Sequence, residues 1–310
     1  MTGMREIAGG LRFPEGPVAM PDGSVIVVEI AAARLTRVLP DGRKLTVARM
    51  TGGPNGAAIG PDGMIYVCNN GGFEWIDDPL HGLRPRFQAP DYSGGRIERV
   101  DPETGRIETL YTGTANGPLR GPNDIVFDGA GGFWFTDLGK TRPRERDQGG
   151  VYYARADGSL IKEVVHPILT PNGIGLSPDD SVVYVAETET GRLWAFDIIG
   201  PGEIARAPWP SPHGGRFVAG MHRYQRFDSL AVEACGNVCV ATLSTPCITV
   251  IAPDGRVVEQ VETDDLHTTN ICFGGPGLRT AYVTLSNSGR LVAMDWPRPG
   301  LPLHWLDRRP

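Results

Sequence analysis

Six residues with oxygen-bearing side chains recur at one place in a repeated pattern. They are Glu15 in FPEGPVAM, Asn55 in GPNGAAIG, Asn123 in GPNDIVFD, Asn172 in TPNGIGLS, Asp228 in RFDSLAVE and Asn270 in TTNICFGG. Each opens, or stands just ahead of, a short polar-then-apolar strand. Carboxylates and carboxamides are the ligands a hard divalent cation takes. If the six strands ring one axis, the six side chains converge on it. Two carboxylates among neutral amides balance a doubly charged ion and leave positions for water or substrate. His and Cys are missing from the set, which argues against an ordinary zinc site. Calcium is the expected ion, with Mn2+, Mg2+ or an all-oxygen Zn2+ site as alternatives. Such an ion polarises a carbonyl or phosphoryl oxygen and lowers the pKa of bound water. Asp228 is preferred over Glu15 as the water-activating base. Taken singly, Glu15 reads as a loop charge, Asn123 and Asn172 as turn formers after proline, and Asp228 as a strand cap. Recurrence at one position carries the case.

The elements that must position these residues are hairpins. Each first strand runs into a tight turn, such as Pro21-Asp22-Gly23, Pro61-Asp62-Gly63 or Pro178-Asp179-Asp180. A β-branched and aromatic run follows: SVIVVEI, MIYVCNN, GFWFTDL, SVVYVAET, NVCVATL and RTAYVTLS. Third strands (RLTRVLP, GRIERVD, GVYYARAD, GRLWAFDI, CITVIAPDG, GRLVAMDW) come next, and several fourth strands, such as KLTVARM and VVEQVETD, are evident. Four antiparallel strands repeated six times predict an all-β fold, a six-bladed β-propeller occupying 1–310 as one domain. No helices alternate with the strands, which excludes a TIM barrel. To seal the ring, one blade must borrow a strand. Both 4–8 and 303–306 are candidates.

Composition narrows the function classes. The 310 residues carry a net charge of −6 without a basic patch, which disfavours nucleic-acid binding. No long apolar stretch predicts a membrane span, and the N-terminus has no leader pattern, so a soluble cytoplasmic chain is expected. The five cysteines contain no CxxC pair and read as reduced packing residues. GxSxG, HExxH, Walker and dinucleotide-binding patterns are absent. The expected partner is a small-molecule substrate. The pattern is silent on oligomeric state.

Three long insertions, at about 71–94, 138–149 and within 199–226, are predicted on the face that carries the six lead residues. They would bring Phe73, Trp75, His81, Phe87, Tyr92, Arg142, Arg144, Trp209, His213, His222 and Tyr224 over the axis mouth. Substrate contacts are expected from Asn55, Arg120, Asp124, Phe73, Trp75, His267 and Asn270.

At FPEGP, GPNDIVFDGAGGFWFTD, TPNGIGLSPDDSVVYVAET, RFDSLAVEACGNVCVATL and TTNICFGGPGLRTAYVT the chain resembles the senescence marker protein / gluconolactonase family of regucalcin-like lactonases. The resemblance spans essentially the whole chain. It implies a six-bladed propeller with one divalent metal in the central channel. It also implies that Glu15, Asn123, Asn172 and Asp228 are the ligands, with Asp228 as general base in lactone hydrolysis. Where animal members carry an arginine two residues before the matching asparagine, this chain has Gly121, with Arg120 one residue earlier. The aromatic 71–94 region suggests a bulkier or less polar substrate than gluconolactone. A phosphotriester hydrolase at the same metal, and a calcium- or ligand-binding propeller without catalysis, are the alternative readings.

Overall fold

The computed structural model describes residues 3–308. It is a six-bladed β-propeller of antiparallel sheets. Blade 1 comprises Pro14–Ala19, Val25–Glu29, Arg34–Val38 and Lys44–Arg49. Blade 2 comprises Pro54–Ile59, Ile65–Asn69, Arg96–Val100 and Ile107–Tyr111. Blades 3, 4, 5 and 6 begin with Pro122–Phe127, Pro171–Leu176, Arg226–Val232 and Thr268–Gly274. These six first strands form the wall of the central channel, each against the next and the sixth against the first. Among the described residues the only helical turns are two short 3₁₀ segments, Ile30–Ala32 and Pro276–Leu278. None is long and apolar enough to cross a membrane.

Second strands are buried along nearly their whole length, and their continuous apolar runs reflect a neighbouring blade on each face. Outer strands such as Lys44–Arg49 and Val257–Glu262 are more exposed than the inner ones and each carries two charged residues, which protects the sheet edge from pairing with other chains. Apolar packing divides into six clusters, such as that of Val28, Ile65 and Val67 between blades 1 and 2.

Of the two candidates for closing the ring, the N-terminal strand Arg5–Ala8 does so, pairing with Arg290–Asp295 as the fourth strand of blade 6. The 303–306 segment is not a strand. It turns under the ring, with Leu306 buried and His304 bonded to Asp180 at 2.7 Å.

Two insertions lie on the predicted face. The 71–94 segment is a two-stranded hairpin, Phe73–Asp78 and Gly82–Gln88, not an irregular loop. It leaves blade 2 and crosses the rim of blade 1, where Trp75 packs on Phe13 at 5.1 Å. Its far end reaches blade 6, where Asn287 donates to the Leu83 carbonyl. The 138–149 loop docks on the hairpin's root, with the Gln88 N–H on the Thr141 carbonyl. The third insertion departs from the expectation. Glu203–Ala205 and Arg216–Gly220 both pair with the third strand of blade 4 and together complete its edge. Residues 206–215 loop out there. Trp209 is exposed, and His213 packs on Trp194 at 4.4 Å. Neither stands over the axis. The edge of a sheet offers unpaired backbone groups, and 216–220 takes them up.

Candidate functional site

A β-bulge lies at the head of every first strand. The ladder with the second strand slips between Glu15 and Val18, Pro54 and Ala57, Pro122 and Ile125, Pro171 and Ile174, Phe227 and Leu230, and Thr268 and Asn270. A bulge breaks the two-residue alternation and re-aims a side chain. It lets Glu15, Asn55, Asn123, Asn172 and Asp228 gather at one level of the channel, with Asn270 one residue further along in the register of Asp124, all buried, while the rest of each strand stays in register. Close approach of neighbouring strands requires small residues here. A Cβ on Gly56 would lie 2.5 Å from the Asn123 carbonyl, and one on Gly173 would lie 2.7 Å from that of Asp228.

The loops before the lead residues are clamped. The last residue of the second strand accepts a backbone N–H two or three positions ahead of the lead residue in four blades. Glu29 takes Arg12, Asn69 takes Gly53, Asp137 takes Arg120 and Gly121, and Glu187 takes Leu169. Phe13 and Thr170, each just before the proline that precedes a lead residue, hold positive φ values of 56° and 45°. Non-glycine residues in that region are strained and persist where surroundings enforce them.

Within the ring, Glu15 Oε2 accepts the Asn270 amide N–H and the Gly16 N–H, both at 2.7 Å. Asn270 Oδ1 is taken by the Ile271 N–H. Asn270 therefore positions Glu15, and one lone pair of its amide oxygen is already engaged. Asn172 donates to Thr188 Oγ1 at 3.0 Å, and Ser229 Oγ stands 3.4 Å from its Oδ1. Thr136 Oγ1 donates to the Asn172 carbonyl and receives the Asp124 N–H, linking blades 3 and 4. The side-chain amides of Asn55 and Asn123 make no hydrogen bond among the described residues and are free to meet a ligand.

Electrostatics separate this ring from ordinary packing. Burial raises the Glu15 carboxyl above its usual range, partly opposed by Asn270 and Gly16. Burial, then the Glu15 charge, pushes Asp124 up to about 8. Burial and the same Glu15 charge push Asp228 well up, against Arg226 and Asn172, with Asp124 adding to the rise. Three buried carboxyls thus face one another, a costly arrangement without a cation. Among the described residues no three His, Cys, Asp or Glu side chains could hold an ion by themselves. An ion here would need amide oxygens to complete its shell, and Asn123 and Asn172 fit that role.

The remaining predicted residues lie at the mouth. Phe73 and Trp75 belong to the hairpin, but Phe73 also seats the buried Lys140 amino group 3.8 Å from its ring centre. Lys140 bonds Asn70 Oδ1 at 3.0 Å, and burial pulls its pKa down to about 7. His267 meets Phe13 edge-on at 5.8 Å and bonds Asn287, with burial lowering its pKa. The Arg120 side chain is exposed, and its carbonyl holds the Tyr92 hydroxyl at 2.6 Å. Sequence reasoning missed the clamp residues, although VIVVE, IYVCN, GFWFTD and VVYVAE all end in an acid or amide at one strand position. Lys140 and Arg226 gave no such signal.

The family profile described as SMP-30/Gluconolactonase/LRE-like region matches residues 13–287. Lactonase drp35 of Staphylococcus haemolyticus is 27% identical over 251 residues, covering 80% of this chain and 68% of that protein. Gluconolactonase of Zymomonas mobilis is 23% identical over 313 residues, covering 93% of this chain and 80% of that one. Among solved structures, a gluconolactonase from Xanthomonas campestris superposes with a TM-score of 0.73 at 20% identity, covering 95% of this chain and 89% of that one. The calcium-binding protein regucalcin from Agrobacterium tumefaciens does so with a TM-score of 0.74 at 18% identity, covering 96% and 95%. At these identities the structural likeness speaks for the fold alone.

Proposed function

The chain belongs to the SMP-30/gluconolactonase/LRE-like family, and from that premise we propose that it is a metal-dependent hydrolase that opens a lactone ring. The observation that carries the metal dependence is the trio of buried, mutually facing carboxyls Glu15, Asp124 and Asp228 beside the unpaired Asn123 amide. Glu15, Asn123, Asn172 and Asp228 are the proposed ligands, and Ca2+ the proposed ion. When bound, the cation supplies polarisation of the lactone carbonyl and the counter-charge that keeps the carboxylates ionised.

Asp228 orients water and accepts its proton as the water oxygen attacks the carbonyl carbon. The acyl C–O bond of the ring breaks, and the proton passes to the departing alkoxide, giving a hydroxy acid. Asn270 and Gly16 fix Glu15, and Thr188 and Ser229 fix Asn172, so the donors are preorganised. Phe13, Trp75 and His267 form one side of the mouth and exclude water from it.

The test is proton release from a panel of sugar and non-sugar lactones by chelated protein, with and without Ca2+, Mn2+, Mg2+ or Zn2+. Turnover restored by metal and lost in Glu15→Gln and Asp228→Asn is expected. A folded, metal-loaded protein inactive on every lactone would sink the proposal. Activity on an organophosphate in the same assay would redirect it to phosphoester chemistry.

A further inference from the structure

We propose that Arg226 is an anion subsite at the mouth of the ring, and that the substrate is a lactone bearing a free carboxylate away from the carbonyl that is attacked. This rests on the lactonase reading and names the substrate class within it.

Access comes first. The hairpin and the 138–149 loop roof blades 6, 1, 2 and 3. Above blades 4 and 5 the described chain makes only short turns, tied by the Gly191 N–H on the Thr188 carbonyl and the Met221 N–H on the Gly191 carbonyl. A substrate therefore reaches the axis over blades 4 and 5. Arg226 stands there, at the start of the blade 5 strand and two residues before Asp228. Its side chain is partly exposed there and pairs with Glu189 of the blade 4 turn.

The state of that guanidinium points to a missing acceptor. Arg226 Nη2 bonds Glu189 Oε1 at 2.6 Å. The same oxygen also serves Arg146, at 3.4 Å. One carboxylate thus faces two guanidinium groups, leaving a positive charge over. Arg226 Nε–H is buried and has no hydrogen-bond partner among the described residues. A buried charged donor without an acceptor is costly, and a water, an ion or a ligand oxygen must complete it. Nε shares its edge with Nη2, which has a second hydrogen besides the one given to Glu189, and such an edge matches a planar carboxylate. A doubly charged phosphate would meet more repulsion from Glu189 and Asp228. On the opposite side Trp75, seated on the buried Phe13, offers an apolar face for the ring's C–H surface. The binding direction follows, with the ring against the aromatics, the carbonyl at Glu15 and Asp228, and the carboxylate at Arg226.

The test compares a five-membered aldonolactone with the matching aldarolactone, which differ in one terminal group, hydroxymethyl against carboxylate. Metal-loaded wild type is expected to favour the carboxylated lactone by about tenfold or more in kcat/KM, mostly through KM. Arg226→Met should erase that ratio, and Arg226→Lys should restore it in part. Equal loss on both lactones in Arg226→Met, or a wild-type preference for the neutral lactone, overturns the proposal. If Arg226→Met does not fold, Glu189→Gln decides. Removing the Glu189 charge beside Nη2 should tighten the carboxylated lactone, and no change would count against the subsite. Calorimetric binding of the ring-opened dicarboxylate needs no turnover. If it binds wild type about tenfold tighter than Arg226→Met while no lactone is hydrolysed, the anion subsite stands and the lactonase reading falls. If lactones are hydrolysed without carboxylate preference, the subsite falls and the lactonase reading stands. A phosphate monoester bound more tightly than the dicarboxylate would also overturn it.

Discussion

The same six strands line both ends of the central channel, yet the two ends are chemical opposites. At the mouth, bulges gather Glu15, Asn55, Asn123, Asn172 and Asp228 at the axis. A few residues further along, the strands pair regularly, and Val18, Ile59, Phe127, Leu176, Val232 and Phe273 line a mostly apolar cavity of about 100 Å3 that reaches up to Asp124 and Asn270. Leu301–Leu306 closes that lower end, with Leu306 in the core and the Trp305 indole donating to the Asp128 carbonyl. One strand therefore serves two purposes because its pleat is interrupted once. Above the bulge, burial of like charges works against stability and prepares a site. Below it, burial of apolar surface stabilises the ring. Damage at the two ends should separate activity from stability.

The largest effect is expected at the mouth. Asp228→Asn should lower kcat roughly 10²–10⁴-fold with a smaller change in substrate binding. Its metal-free unfolding midpoint should equal or exceed that of wild type, because one of three facing carboxyls is gone. Steady-state kinetics and thermal melts on the same samples check both. A lower midpoint with unchanged kcat would reverse the assignment of the two ends.

At the lower end, Leu306→Ala should cost about 2–4 kcal/mol in denaturant unfolding while leaving kcat near wild type. Gly56→Ala tests the seam between the ends. Its Cβ would meet the Asn123 carbonyl at 2.5 Å, and about 1–3 kcal/mol of stability should be lost along with activity. Activity retained there would mean that the spacing of neighbouring strands does not set the site.

A further contrast is one of pH. Asp124 ionises near pH 4 when unfolded and near 8 in the fold. Between those values the folded state binds more protons, so stability of chelated protein should fall as pH rises from about 4 to about 8. Added Ca2+ should flatten that slope, and Asp124→Asn should reduce it. Denaturant midpoints across this range, with and without Ca2+, provide the check.

Much of this division was legible in the sequence. The lead residues and the β-branched second strands are local signals repeated six times, with tight turns between strands, and repetition turned weak preferences into a fold. The roof formed by 71–94 was legible too, from length and position in the meander. What was not legible depends on partners distant in sequence. Asn270 looks like any other lead amide until its nitrogen is seen on Glu15 from across the blade 6–blade 1 seam. Closure by Arg5–Ala8 depends on the register with Arg290–Asp295. Trp209 and His213 left the mouth because a sheet edge offered backbone partners. Phe73 read as a substrate wall, yet Lys140, far along the chain, occupies its face.

The most direct test of the central claim is to titrate Ca2+ into chelated protein while following lactone hydrolysis and calorimetric occupancy together. The account predicts one ion per chain, turnover rising in proportion to occupancy, and neither in a Glu15→Gln, Asp228→Asn double variant that remains folded. Full turnover in protein stripped of metal, or ion binding unchanged in the double variant, would contradict it.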